Sequence, residues 1–324
     1  MFFRVPRFCL TMAAAAMILP AGNAMAQEVS AQRCEKALRD LSAELKRNGA
    51  TLRAVYDGQS GASCSYRDIR IDGGYPKDPT FEAARITVAG SILAWNGEGT
   101  LPGSDLMLSA EGLRLIPRDN DARAAALQQA QSRLGPLRLD LSTSWNAAAK
   151  TLQIARLDLA SSEMSILRLA AGVKNVDLST PGAAQMSQVG FAITDMDLEL
   201  KTFALAETGL LPMIFGVMPE AQGGSDPNAA TKNITDKKLA LRGEINNLPD
   251  AAFPPASGAA LAAFLSDLPN ARGKLLVNFR SGSGFGPVRL ARFALTGPPA
   301  NVKEAAPIFD DTRFVIEWRR GDRS

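Results

Sequence analysis

Apolar residues recur at every second position through the middle of this chain. Leu137, Leu139 and Leu141 alternate with Arg138 and Asp140, Leu157 and Leu159 flank Asp158, and Met196, Leu198 and Leu200 flank Asp197 and Glu199. A period of two turns one face to a core and the other to water, which is the pattern of half-buried antiparallel strands. It begins after Thr51 with Ile69 and Ile71, then Ile86 and Val88, Leu106 and Leu108, and Leu113 and Leu115, each run bounded by Gly, Pro, Asp or Asn. It ends with Phe314, Ile316 and Trp318 set against Arg313, Glu317 and Arg319, a last strand that stitches the C-terminus into the sheet.

Helical spacing appears at fewer places. From Ser30 to Asn48 the apolar positions Cys34, Leu38, Leu41 and Leu45 fall on one helix face, and Asn48-Gly49 stops the run. Ala122 to Arg133, Ser257 to Leu268 (with Leu261, Phe264, Leu265 and Leu268 on one face) and the shorter Val302 to Phe309 read as caps over a sheet. The expected fold is therefore α+β and β-rich: one or more long, curved antiparallel sheets with an N-terminal helix and a few capping helices. Ile92 to Asn96 and Ser142 to Asn146 share Trp-Asn before a polar turn, which suggests two related hairpins. Gln222 to Thr231, rich in Gly, Ser, Pro and Asn, is where the β-rich region would divide.

The N-terminus addresses the chain. Arg4 and Arg7 precede an apolar run, Cys9 to Leu19, that ends at Pro20 and the small-residue site Ala24-Met25-Ala26, the layout of a cleavable secretory signal. That run is about half of the roughly 20 residues needed to span a bilayer. Residues 1–26 are expected to be removed after Ala26, releasing residues 27–324 into the periplasm as neither a transmembrane protein nor a lipoprotein. Cys9 leaves with the signal, and Cys34 and Cys64 remain as a pair in an oxidising compartment, where a disulfide would pin the first helix to the strand that begins near Cys64.

Composition then removes function classes. Loss of Arg4 and Arg7 takes two of the 36 basic residues and leaves 34 against 33 acidic, so there is no electrostatic footprint for nucleic acid. The histidine count is 0, which excludes Ser-His-Asp and Cys-His relays, a histidine general base and most catalytic zinc shells. No Gly-x-Ser-x-Gly elbow, Ser-x-x-Lys pair or Walker loop is present. Gly282-x-Gly284-x-Gly286 reads as a hairpin loop before a strand at Val288, because a phosphate cradle must open a helix. Carboxylate pairs are what a glycosidase needs, and Asp195 with Asp197, Asp119 with Asp121 and Asp310 with Asp311 are the candidates. Asp195 adjoins a slip in the alternation and Asp197 falls on the polar face, so both read as solvated. No cofactor or metal is expected, and Asn233-Ile234-Thr235 is a glycosylation pattern that a bacterial-looking signal makes accidental.

One apolar stretch stands apart: Gly209 to Met218, with Leu210, Leu211, Met213, Ile214, Phe215 and Met218, follows the strand that carries Met196, Leu198 and Leu200. Together these nine side chains form a candidate apolar ligand surface, either a plug over a packed sheet or the lining of a groove. The strands Leu152 to Leu159 and Ile166 to Ser179 resemble those of secreted proteobacterial envelope proteins. Over residues 80–320 the chain is distantly similar in texture to the AsmA-like envelope proteins, and that resemblance implies a lipid-contacting groove of long amphipathic strands. It departs from the AsmA-like pattern in carrying a cleavable signal where those proteins keep a membrane anchor, and in its short length. The expected role is a non-enzymatic periplasmic envelope protein acting through a partner or apolar ligand surface. A lipid or hydrophobic-ligand carrier is the second expectation, and a carboxylate-based glycan hydrolase the third.

Overall fold

The computed structural model describes residues 29–75, 78–94, 103–118, 135–161, 164–202, 238–239, 241–268, 271–297 and 299–321. The fold is α+β and β-rich. Among the described residues ten strands follow one another in chain order: β1 (Thr51–Ser60), β2 (Ser63–Asp72), β3 (Thr80–Ala89), β4 (Ser104–Ile116), β5 (Leu137–Asn146), β6 (Thr151–Ala160), β7 (Ser165–Lys174), β8 (Ala192–Lys201), β9 (Gly273–Phe285) and β10 (Thr312–Arg320). Helix α1 (Ala31–Arg47) precedes them. The short helices α2 (Pro181–Gly190), α3 (Pro255–Asp267), α4 (Pro287–Thr296) and α5 (Val302–Ala305) fall between later strands. The chain forms two compact units. The first takes the described residues of 29–118, 135–164 and 172–191, and the second takes those of 165–171 and 192–321.

In the first unit, β1 to β6 form an antiparallel meander. Helix α1 forms where its caps predict: the Ser30 side chain accepts from the Arg33 amide, Lys46 and Arg47 complement the last turn, and Asn48 and Gly49 (φ +83°) turn the chain into β1. Its apolar positions Cys34, Leu38, Leu41 and Leu45 pack with Tyr66, Ile69 and Ile71 of β2 and with Leu52, Ala54 and Tyr56 of β1. The Cys34–Cys64 disulfide fastens the helix to β2, and both cysteines are fully buried. Beside the bridge the Tyr66 hydroxyl donates to the Cys34 carbonyl at 2.8 Å, and burial pushes the phenol pKa up to about 12.

The two leucine runs at Leu106 and Leu113 belong to one strand, β4, and not to two. The register slips between Glu111 and Leu113 at Gly112 (φ +66°), and this bulge changes the parity of the alternation. Leu106, Ala110 and Leu113 therefore all reach the same core. The two Trp-Asn segments also differ. Trp145 and Asn146 end β5 in a hairpin, where the Trp145 Nε1–H donates to the Val176 carbonyl at 2.7 Å and Asn146 accepts from the Ala149 amide. Ser91–Ala94 is instead a turn of 3₁₀ helix, while Trp95 and Asn96 lie outside the described residues.

In the second unit, β8, β9 and β10 place three apolar rows in register. Met196, Phe279 and Phe314 form one, Leu198, Val277 and Ile316 the next, and Leu200, Leu275 and Trp318 the third. Helix α3 covers the β10 end of this face through Leu261, Phe264 and Leu265, with the Phe264 and Trp318 rings 5.1 Å apart. The outer edge of β10 is closed as well, because the Phe314 amide donates to the Ala252 carbonyl at 2.7 Å and the Ile316 amide to Ser257 Oγ at 3.0 Å.

The reading of Gly282 to Leu290 is corrected here. Strand β9 runs through Gly282 and Gly284 to Phe285, Gly286 caps in an extended conformation, and Pro287 opens helix α4. Proline suits the first turn of a helix, where its missing N–H has no partner to lose. Arg289 then ties the turn down, donating to the carbonyls of Gly284 (2.8 Å), Ile308 (2.8 Å) and Asp310 (2.6 Å). Helix α2 was not expected at all; Thr180 caps it and Pro181 begins it. Ala122 to Arg133, Gln222 to Thr231 and Asn233 to Thr235 lie outside the described residues.

Candidate functional site

Three of the nine candidate surface residues are described. Met196, Leu198 and Leu200 are half-buried on the apolar face of β8, and Leu200 packs into the core beneath α3. Leu210, Leu211, Met213, Ile214, Phe215 and Met218 lie outside the described residues, as do Asp119 and Asp121. The opposite face of β8 is charged: Glu199 pairs with Lys274 at 2.8 Å, and that hydrogen-bonded ammonium holds its carboxyl below the usual range.

Asp195 and Asp197 stand on that charged face. The expected slip is present as a register shift between Ile193 and Asp195. Asp195 accepts from the Thr194 hydroxyl at 3.0 Å and faces Arg280 across the ladder, while Asp197 accepts from Asn278 and pairs with Arg280 at 3.3 Å. The Asp197 side chain is 56% exposed, so these acids sit on a solvated sheet surface and not in a pocket.

Asp310 and Asp311 part company. Asp311, in the left-handed region (φ +53°), accepts from the Ser283 amide at 2.6 Å and pairs with the Arg289 guanidinium, and these contacts hold its carboxyl far below the usual carboxylate range. The glycine-rich segment thus receives an anion, and that anion is the protein's own side chain. Phe253, Phe285, Phe309 and Phe314 pack in a ring cluster nearby.

A further carboxylate pair was missed. Asp140 and Asp158 lie directly opposite on β5 and β6. Each pairs with the arginine two residues earlier on its own strand, Arg138 at 3.1 Å and Arg156 at 2.9 Å, and Asp140 also accepts from Ser109 at 2.8 Å. The repeated Arg-Leu-Asp at 138–140 and 156–158 was the available signal. Each acid is thus held by a guanidinium of its own strand. The same arrangement recurs at Asp72, which accepts from Arg70, Thr80 and Arg118 and is held down to about 2.

Among the described residues no group of three or more His, Cys, Asp or Glu side chains converges as a metal site, and no helix is long and apolar enough to cross a membrane. The described residues also line hollows. One of about 630 Å³ opens beside the β5–β6 turn, lined by Gly103, Trp145, Ala147, Ala148, Thr151 and Gln153. Another, of about 270 Å³, lies between residues 245–250 and α3 and is lined by Phe253, Gly258 and Ala262 among others. No family model matches the chain, and none of the curated proteins compared with it does.

Proposed function

We propose that the protein is a non-enzymatic component of the cell envelope, exported to the periplasm by a signal removed after Ala26, and that it works by presenting a binding surface to a partner. The observation that carries this reading is the packing of the sheets. In each unit the chain's own helix covers part of the apolar side, α1 over β1 and β2 in the first and α3 over the β10 end in the second. Asp158, Asp197 and Asp311 are each paired with an arginine, and a buried disulfide suits an oxidising compartment.

A lipid carrier in the manner of the AsmA-like proteins is the second reading. It draws on the half-buried Met196 and Leu198 and on the 630 Å³ hollow at Trp145. Titration of delipidated protein with a fluorescent fatty acid and a fluorescent phospholipid separates the two. The scaffold reading expects no saturable binding; saturable binding abolished by Leu198→Asp would establish the carrier. Export is checked by N-terminal sequencing of the protein from a periplasmic fraction, which is expected to begin at Gln27.

A further inference from the structure

Cutting the export signal after Ala26 makes Gln27 the first residue of the mature chain and Glu28 the second, so the chemistry of this terminus rests on the export reading above. Both residues lie outside the described ones. We propose that Gln27 is a modification site: its α-amine closes on its own side-chain amide, and the mature protein carries an N-terminal pyroglutamate.

The step is an intramolecular acyl transfer. The α-amino nitrogen attacks the Cδ carbonyl carbon, a new N–C bond forms and the Cδ–Nε2 bond breaks. The Nε2 group takes the proton given up by the amine and leaves as ammonia. Nothing is oxidised or reduced, and no co-reactant is consumed. Glutamine suits the step because amine and amide belong to one residue and close a five-membered lactam, so little freedom is lost in bringing them together. A terminal amine titrates at about 8, which leaves roughly a tenth of it unprotonated and nucleophilic at pH 7.

The start of the fold favours the closed form. Among the described residues the fold takes hold of the chain at Val29, which is 2% exposed and donates its amide to the Gly61 carbonyl at 3.1 Å. Ser30 follows as the cap of α1, its hydroxyl accepting from the Arg33 amide. Two residues of extended chain reach about 7 Å at most, so the terminal amine is tethered within about a Debye length of Val29, close to the positive end of the α1 dipole. The first turn of α1 carries no acidic residue and includes Arg33. A terminal ammonium would add to that positive charge and offset the neighbouring Glu28 carboxylate. The lactam nitrogen is neutral, and ring closure leaves the Glu28 charge unopposed ahead of the helix.

Mass spectrometry of the intact protein, extracted directly from the periplasmic fraction of freshly harvested cells, is the deciding measurement. The expected mass is that of residues 27–324 with one disulfide and lighter by one ammonia, and tandem fragmentation should place the loss on Gln27. Gln27→Asn is the matched control. It keeps a side-chain amide, but its amine would have to close a strained four-membered ring, so the variant should retain the amine and lose no ammonia. Added aminopeptidase, which needs a free terminal amine, should leave the wild-type protein untrimmed and remove residues 27 and 28 from the variant. A chain that begins at Gln27 with its amine free overturns the modification and leaves the export reading standing. Ammonia lost only on storage of the purified protein, or lost equally from Gln27→Asn, overturns it too. A chain that still carries residues 1–26, or that begins at another position, overturns both.

Discussion

Asp72 shows how single side chains set the limits of stability in the first unit. Its carboxylate takes hydrogen bonds from Arg70, the buried Thr80 hydroxyl and Arg118, and these lower its pKa from the usual carboxylate range to about 2. A carboxyl lowered in the folded state adds stability that is complete above its unfolded value and drains away as pH falls through the folded one. Urea unfolding is expected to lose about 2 kcal/mol between about pH 4 and pH 2 through this group, and Asp72→Asn should remove that part of the pH dependence. In the second unit Ser257 occupies a comparable position. It is 1% exposed, and its hydroxyl receives the Ile316 amide. Ser257→Ala would leave that amide without a partner where water cannot reach it, and a loss of about 1–3 kcal/mol by urea denaturation is the expected outcome.

Among the elements, α1 depends most on a single covalent bond. It packs on β1 and β2 along one face only, and the bridge from Cys34 to Cys64 joins positions 30 residues apart. Replacing both cysteines with serine should destabilise the first unit by roughly 3–4 kcal/mol in the chain-entropy account. Strand β4 depends on a glycine. A side chain at Gly112 would be strained at φ +66° and would lie 2.7 Å from the Ala84 Cβ. Gly112→Ala is therefore expected to cost more than about 1 kcal/mol, read as a lower urea midpoint with unchanged slope. The bulge at that glycine also explains why two strands were expected where one exists: a change of parity looks like an end when only the alternation is visible.

Across the whole molecule, each unit holds its own core, Tyr66, Ile69, Leu106 and Leu113 in the first and Phe253, Phe264, Leu275 and Ile316 in the second. Separate cores predict separate local stabilities. Hydrogen exchange on the double serine variant should accelerate in α1, β1 and β2 and leave β9 and β10 unchanged; equal acceleration in both would show that the units unfold as one. Much of this organisation was legible beforehand. Helix α1 carries its caps and its apolar stripe in consecutive residues, the strands carry their period, and the cysteine pair needs only compartment and parity. These are local or near-local signals, and the sequence alone was enough for them. Contacts between distant segments decided the rest. Pro287 begins a helix because Arg289 finds carbonyls on both sides of it, at Gly284 and at Ile308 and Asp310. Asp311 is a structural anion because Ser283 and Arg289 are folded against it, and Asp140 and Asp158 face each other only through the β5–β6 register. Periodicity states which side of a strand is apolar; what covers that side depends on how the chain returns to it, and no run of neighbouring residues encodes that.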